Sequence, residues 1–249
     1  MVNVAGGLVD GLTKAFHIAW KDAKVYYFKA PNFTYGLLVP VSLFLAFVIT
    51  GNVDSELAVS GLTALVVLFG TTSIEAVAVV LEKQTGTFER LLAAPVSFFT
   101  LVLGKALAGF FFGLILASAT FVPLSLFYGA NFVNPILAIV AIAVTSLAFS
   151  ALGVLVSAYA KWVPEAQTLS NFLRFPMVFL SGTFVRLETL PFPLQIVARF
   201  LPLTYSAEAL RLSLQGSPVT LYMVDIVVLF AFAVVLLAIA GKILERKTR

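Results

Sequence analysis

Six long apolar stretches constrain this chain more than any other feature. They run over about residues 33–50, 57–81, 98–128, 134–160, 168–186 and 219–243. A helix that crosses a bilayer needs roughly 20 predominantly apolar residues, so each stretch is a candidate span. The third is too long for a straight crossing, and Pro123 near its far end would kink it or mark where it emerges. The fifth carries Arg174 and Pro176. Charged residues make up 11% of the chain, against roughly 25% in soluble domains. That is too few to coat a water-facing surface of this size. The sequence therefore predicts an all-α integral membrane protein with six transmembrane helices, organised as one domain over residues 1–249.

Lysine and arginine placement orients the spans. With the N-terminus inside, the cytoplasmic segments hold Lys14, Lys21, Lys24 and Lys29; Lys83, Arg90 and Lys105; Lys161 and Arg174; and Lys242, Arg246, Lys247 and Arg249. The outer segments hold only Arg186, Arg199 and Arg211. Positive residues concentrate on cytoplasmic loops, so both termini are expected in the cytoplasm and residues 187–215 outside. The first 30 residues lack a long apolar core followed by a small-residue cleavage site. The first apolar stretch is accordingly expected to serve as an uncleaved anchor.

Residues 8–27 form a different kind of element. Leu8, Leu12, Phe16, Ala19, Trp20, Ala23 and Tyr27 recur at helical spacing, and Lys14, Lys21 and Lys24 lie mostly off that stripe. The pattern predicts an amphipathic helix lying on the inner leaflet, with its lysines near anionic headgroups. The competing expectation is a helix packed on the protein's own cytoplasmic face.

Several chemistries are excluded or weak. The chain has no cysteine, which removes disulfides, thiolate catalysis and cysteine-based zinc sites. It holds no phosphate-binding loop: Gly104-Lys105 is followed by Ala106 and lacks the upstream glycine. His17 is a lone histidine without nearby partners for metal or acid–base work. Nothing suggests a nucleic-acid partner. Glu75 is the one carboxylate deep inside an apparent span, where an ionised group needs a partner or water. Lys105 enters the third span from the same side at similar depth. The expected inner-mouth charges are therefore Glu75, Lys105 and Arg174, with Lys105 the favoured partner of Glu75 and Arg90 or Arg174 the alternatives.

The segment between the second and third stretches, residues 82–97, is the most informative. Gly86 permits a sharp turn, Thr87 suits a helix cap, and Glu89 suits the positive first turn of a helix. Phe88, Leu91 and Leu92 make a small apolar face, and Pro95 helps to stop the helix. The result is a cytoplasmic helix of about two turns, too short to be stable alone. It must pack on another surface, with Phe88, Leu91 and Leu92 as expected anchors and Glu89 and Arg90 as polar contacts.

At these residues the chain resembles the permease subunits of type 2 ABC exporters. The matching stretch runs from Glu82 through Gly86-Thr87, Leu91-Leu92 and Pro95-Val96-Ser97 to Gly104-Lys105. A second match comprises Ser181-Gly182-Thr183-Phe184, Leu190-Pro191, Leu201-Pro202-Leu203-Thr204-Tyr205 and Glu208-Ala209-Leu210-Arg211. Val185-Arg186 departs from the family, whose members often carry a proline soon after the Ser-Gly. The resemblance implies six spans, an N-terminal interfacial helix, a pathway built from two permeases (a homodimer favoured over a heterodimer) and two separate ATPase subunits docked below. It implies that 82–97 is the coupling helix and that 187–215, with Pro191, Pro202, Leu203, Thr204, Tyr205, Glu208 and Arg211, folds back into the outer leaflet. Glu208 and Arg211, three residues apart, are expected to pair on one helix face. ATP and magnesium would bind the partner ATPase, leaving this chain without cofactor, metal or catalytic residues in a cell membrane rich in lipid contacts. The cargo implied is amphipathic, lipid-like, drug-like or glycan. A stand-alone channel or ion-coupled carrier is the alternative, and a membrane-embedded enzyme the third reading.

Overall fold

A computed structural model describes residues 4–27, 30–50, 54–94, 96–130, 134–215 and 219–248. Ten α-helices follow in chain order: α1 (Val4–Asp22), α2 (Ala30–Thr50), α3 (Ser55–Gln84), α4 (Thr87–Leu92), α5 (Phe98–Tyr128), α6 (Pro135–Tyr159), α7 (Val163–Leu180), α8 (Phe192–Ala198), α9 (Pro202–Gln215) and α10 (Val219–Thr248). A π-helical turn, Ala23–Tyr27, extends α1, and a 3₁₀ turn, Leu187–Thr189, precedes α8. The described residues contain no strand. An all-helical architecture is what lipid demands, because each helix satisfies its own backbone hydrogen bonds.

Four helices are long and apolar enough to cross a membrane among the described residues: α3, α5, α6 and α10. The expectation of six is met only in part. In α2 the apolar window found is the shorter Gly36–Ala46. Helix α7 begins five residues before the expected stretch and ends at Leu180, so its 18 residues include Glu165, Gln167, Asn171 and Arg174. The helices run through Pro123 and Pro176 without ending there.

Helix α3 is the axis of the bundle and packs on α2, α5, α6, α7 and α9. It meets α5 and α6 at small residues. A methyl group on Gly113 would lie 2.8 Å from both Ser146 Cβ and Thr71 Cγ2. Such close backbone approach replaces the hydrophobic drive that lipid does not supply between helices. At one end of α3, Asp54 pairs with Arg186 at 2.5 Å and Glu56 accepts from Gln215. At the other end, Lys83 donates to the Ser157 carbonyl at 2.6 Å and Gln84 to that of Lys161 at 3.4 Å. The connecting segments expected outside thus meet at one end of α3, and those expected inside at the other.

Candidate coupling site at the α4 pole

The turn between α3 and α4 is fixed by Gly86, whose φ of 69° lies in the left-handed region that favours glycine. It reverses the chain so that α4 folds under the bundle. The single buried side chain of α4 is Phe88, which sits in an apolar cluster with Val79, Leu101, Val154 and Leu244, drawn from α3, α5, α6 and α10. The Lys83 ammonium stands over its ring, 5.9 Å from the centroid. Leu91 and Leu92 pack half-buried on the same cluster. This corrects the expectation that Phe88, Leu91 and Leu92 face outward as anchors. A two-turn helix does need a surface, and its own bundle provides one. What α4 leaves exposed is Glu89, Arg90 and Ala93, continuous with Gln84 and Thr85, while Gly86 and Thr87 are half-buried. Pro95 lies outside the described residues.

Directly behind α4 lies a group of four charges. Lys105 Nζ on α5 is 2.7 Å from Asp22 Oδ2 at the end of α1 and also contacts Glu82 Oε2 on the last turn of α3. Lys21 pairs with Asp22 Oδ1 at 2.8 Å and with Glu82 Oε1. Asp22, Glu82 and Lys105 are essentially fully buried, and Lys21 is one-third exposed. Two ammonium groups and two carboxylates balance, so no net charge is buried. Burial works against the Lys21 ammonium, but Asp22 and Glu82 outweigh it and hold its pKa above the usual lysine value.

The group ties α1, α3 and α5 together. Helix α1 packs along α5, and a methyl group on Gly104 would lie 2.9 Å from the Ala15 carbonyl oxygen. Ala15, Ile18, Ala19 and Asp22 form the buried face of α1, whereas Leu12, Phe16 and Trp20 are exposed. One face of this helix packs on the protein, as the competing expectation had it, and a separate apolar stripe remains uncovered. The aromatic and aliphatic residues at 12, 16 and 20 were legible as one stripe, but Ala19 and Tyr27 belong to the other face.

The expected Glu75–Lys105 pair does not form, because Lys105 is committed to Asp22 and Glu82. Glu75 instead accepts a hydrogen bond from the Tyr27 hydroxyl, and its Oε1 has no hydrogen-bond partner among the described residues. Arg90 is exposed on α4. Arg174 is buried on the other side of α3: it donates to Ser73 Oγ at 2.5 Å and the Ser170 carbonyl at 3.1 Å, with its guanidinium 4.9 Å from the Phe69 ring centre. Asp22 and Glu82 are the functional candidates that sequence reasoning did not single out. Asp22 had a signal, because it falls seven, four and three residues after Ala15, Ile18 and Ala19 on one helix face.

At the opposite pole, α9 enters the bundle and packs on α3, α6 and α10. Pro202, Leu203, Thr204 and Tyr205 are buried. Thr204 and Tyr205 donate their hydroxyls to the Ala198 and Arg199 carbonyls, both at 2.7 Å, locking the α8–α9 corner. Pro191 caps α8, whose Phe192, Leu194, Ile196 and Val197 are exposed. Glu208 pairs with Arg199 at 3.4 Å rather than with Arg211, which corrects the expected (i, i+3) pair. The corner brings Arg199 back over the first turns of α9, and Arg211 Nε is buried without a hydrogen-bond partner among the described residues.

The described residues thus form a helical bundle with a short helix, α4, at one pole and the α8–α9 pair at the other. Residues 12–214 match the family model described as ABC-2 type transporter, and the chain belongs to that family. It is 30% identical over 169 residues to nodulation protein J of Rhizobium meliloti (strain 1021), covering 65% of this chain and 62% of the relative. It is 34% identical over 106 residues to nodulation protein J of Rhizobium leguminosarum bv. viciae, covering 43% of this chain and 41% of the relative. It is also 32% identical over 167 residues to ABC transporter G family member 20 of Dictyostelium discoideum, covering 65% of this chain and 23% of that much longer protein. The matched region thus spans about half the length of the nodulation relatives.

Proposed function

We propose that this chain is the membrane-spanning permease of an ATP-driven exporter, and that a separate ATPase docks on the exposed Glu89–Arg90 face of α4. The observation that carries the reading is the mounting of α4. Phe88 seats it on α3 and within an apolar cluster that α5, α6 and α10 share, while Glu89 and Arg90 remain exposed. A push on that face reaches four membrane helices without passing through a flexible linker. The charge group behind it extends the same push to α1 through Glu82 and Asp22.

ATP and magnesium act on the partner, and this chain converts the partner's closure into helix movement. Such a device shifts an equilibrium only if the partner grips α4 differently in its two states. The reading includes six spans with α2 and α7 completing the set, both termini in the cytoplasm of a cell membrane, and a pathway formed with a second copy of the permease. The uncovered apolar side chains of α8 suit lipid or that second copy. An amphipathic or apolar cargo fits a chain with 24 phenylalanines and few charges.

The test is co-purification of the candidate ATPase with Glu89→Lys/Arg90→Glu, a change that leaves the buried Phe88 cluster intact. We expect the permease to insert normally and to lose the ATPase and transport together. Transport by the wild-type permease alone, without ATPase, would make it a channel or carrier instead.

A further inference from the structure

Glu75 has no part in the coupling device, yet it is as enclosed as the paired carboxyls Asp22 and Glu82. It lies about two-thirds of the way along α3, a membrane-crossing helix, and is 1% exposed. Its surroundings are built around it. A methyl group on Gly153 of α6 would come within 2.6 Å of Glu75 Cβ, and one on Gly109 of α5 within 3.1 Å of Glu75 Oε2. Ser150, beside Gly109, turns its hydroxyl away to the Ala106 carbonyl at 2.7 Å. Among the described residues only Tyr27, from the π-helical turn after α1, donates to the carboxyl.

The charged and titratable groups facing Glu75 account for one another. Asp22 comes from α1, Lys105 from α5 and Glu82 from α3 itself, with Lys21 completing their neutral group. The side chains that α6 brings against Glu75, Ser150 and Gly153, carry no charge. Arg174 on α7 is engaged with Ser73 and Phe69 on another face of α3. No cation among the described residues is therefore bonded to Glu75. An ionised carboxylate so placed would be left with one hydrogen bond in a medium that penalises charge heavily. Among the described residues no group of three or more His, Cys, Asp or Glu side chains could hold a metal ion there.

From this geometry we propose that Glu75 is a proton-binding site, occupied by a proton while the bundle is packed as described. Tyr27 holds the carboxyl in place, and the proton is released to water when the cytoplasmic mouth opens enough to hydrate it. Basic conditions then favour the hydrated arrangement, because only there is the ionised form solvated. The inference concerns the permease alone and does not depend on the cargo or on the ATPase reading.

Infrared spectroscopy of the full chain in lipid nanodiscs tests it. At about pH 8, well above the ordinary glutamate value of ~4.3, the carbonyl stretch of a protonated carboxylic acid should persist in the wild type. It should vanish in Glu75→Gln and shift in frequency, without vanishing, in Tyr27→Phe. Asp225 on α10 is the other buried carboxyl in a membrane-crossing helix that has no ion-pair partner among the described residues, and serves as the control. Absence of the band, its survival in Glu75→Gln with loss in Asp225→Asn, or an unshifted band in Tyr27→Phe overturns the site. Amide exchange then tests the linkage. Protection along α3, corrected for intrinsic rates, should fall in the wild type as the band is lost and hold in Glu75→Gln. Equal pH dependence in both proteins overturns the linkage and leaves the two spectroscopic outcomes to decide the site.

Discussion

Lys105 Nζ sits 2.7 Å from Asp22 Oδ2 and joins α5 to the last residue of α1. The two residues are 83 positions apart, and neither is more than 2% exposed. Removing one partner from such a pair strands the other charge, at a cost of about 3–5 kcal/mol, whereas removing both costs much less. Lys105→Met and Asp22→Asn should each lower thermal stability strongly, and the double variant should recover part of the loss. Coupling in that cycle should exceed that of Lys105→Met with Glu75→Gln. Additive losses for Lys105 and Asp22 would show that the pair contributes nothing beyond its separate parts.

Phe88 gives the second prediction. Truncating a buried phenylalanine costs about 3–5 kcal/mol, and here the loss falls on the attachment of α4. Phe88→Ala should leave the permease inserted and helical but loosen α4, giving faster proteolysis near Arg90 and weaker ATPase binding. Phe88→Leu, which keeps most of the apolar volume, should retain both. A Phe88→Ala permease with normal ATPase binding would mean that the partner, rather than the bundle, holds α4 in place.

The coupling segment shows how far the sequence could be read and where it stopped. Gly86, Thr87 and the apolar positions announced a short helix between turns, and the structure has it at Thr87–Leu92. Periodicity reports that a face is apolar, not what covers it, so the direction of Phe88 was not legible. The same limit applied to Glu75 and Lys105. Depth along two antiparallel helices can be counted from the sequence, but the rotation of each helix about its axis cannot. Rotation is set by packing, here by α1 lying against Gly104 and carrying Asp22 to Lys105. The α7 boundary was misread for another reason. Its first turn is polar, and a reading by hydropathy begins only where the apolar run does.

Topology can be mapped directly because the native chain has no cysteine. Glu188→Cys, on the exposed 3₁₀ turn after α7, should react with an impermeant thiol reagent from outside. Ala93→Cys, exposed just after α4, should react only from the cytoplasm. Ser217, between α9 and α10, lies outside the described residues and makes a less defined probe. Labelling of both cysteines from the same side would contradict the separation of the two poles seen across α3.

The outer corner separates the value of a buried hydrogen bond from that of an exposed ion pair. The Tyr205 hydroxyl meets the Arg199 carbonyl at 2.7 Å, and Tyr205 is 8% exposed. Tyr205→Phe removes the donor and leaves a carbonyl to find another partner, which costs about 0.5–1.5 kcal/mol. Arg199 reaches Glu208 at 3.4 Å from a side chain that is 54% exposed. Pairs of that kind contribute about 0–1 kcal/mol, and salt screens them. Arg199→Gln should therefore change stability less than Tyr205→Phe, and its small effect should shrink further in high salt, while that of Tyr205→Phe stays constant. Thermal unfolding of both variants in detergent at low and high salt reads the contrast. If Arg199→Gln is the more damaging of the two, the corner is held by its charges and α9 is seated less firmly by its backbone contacts than the structure indicates.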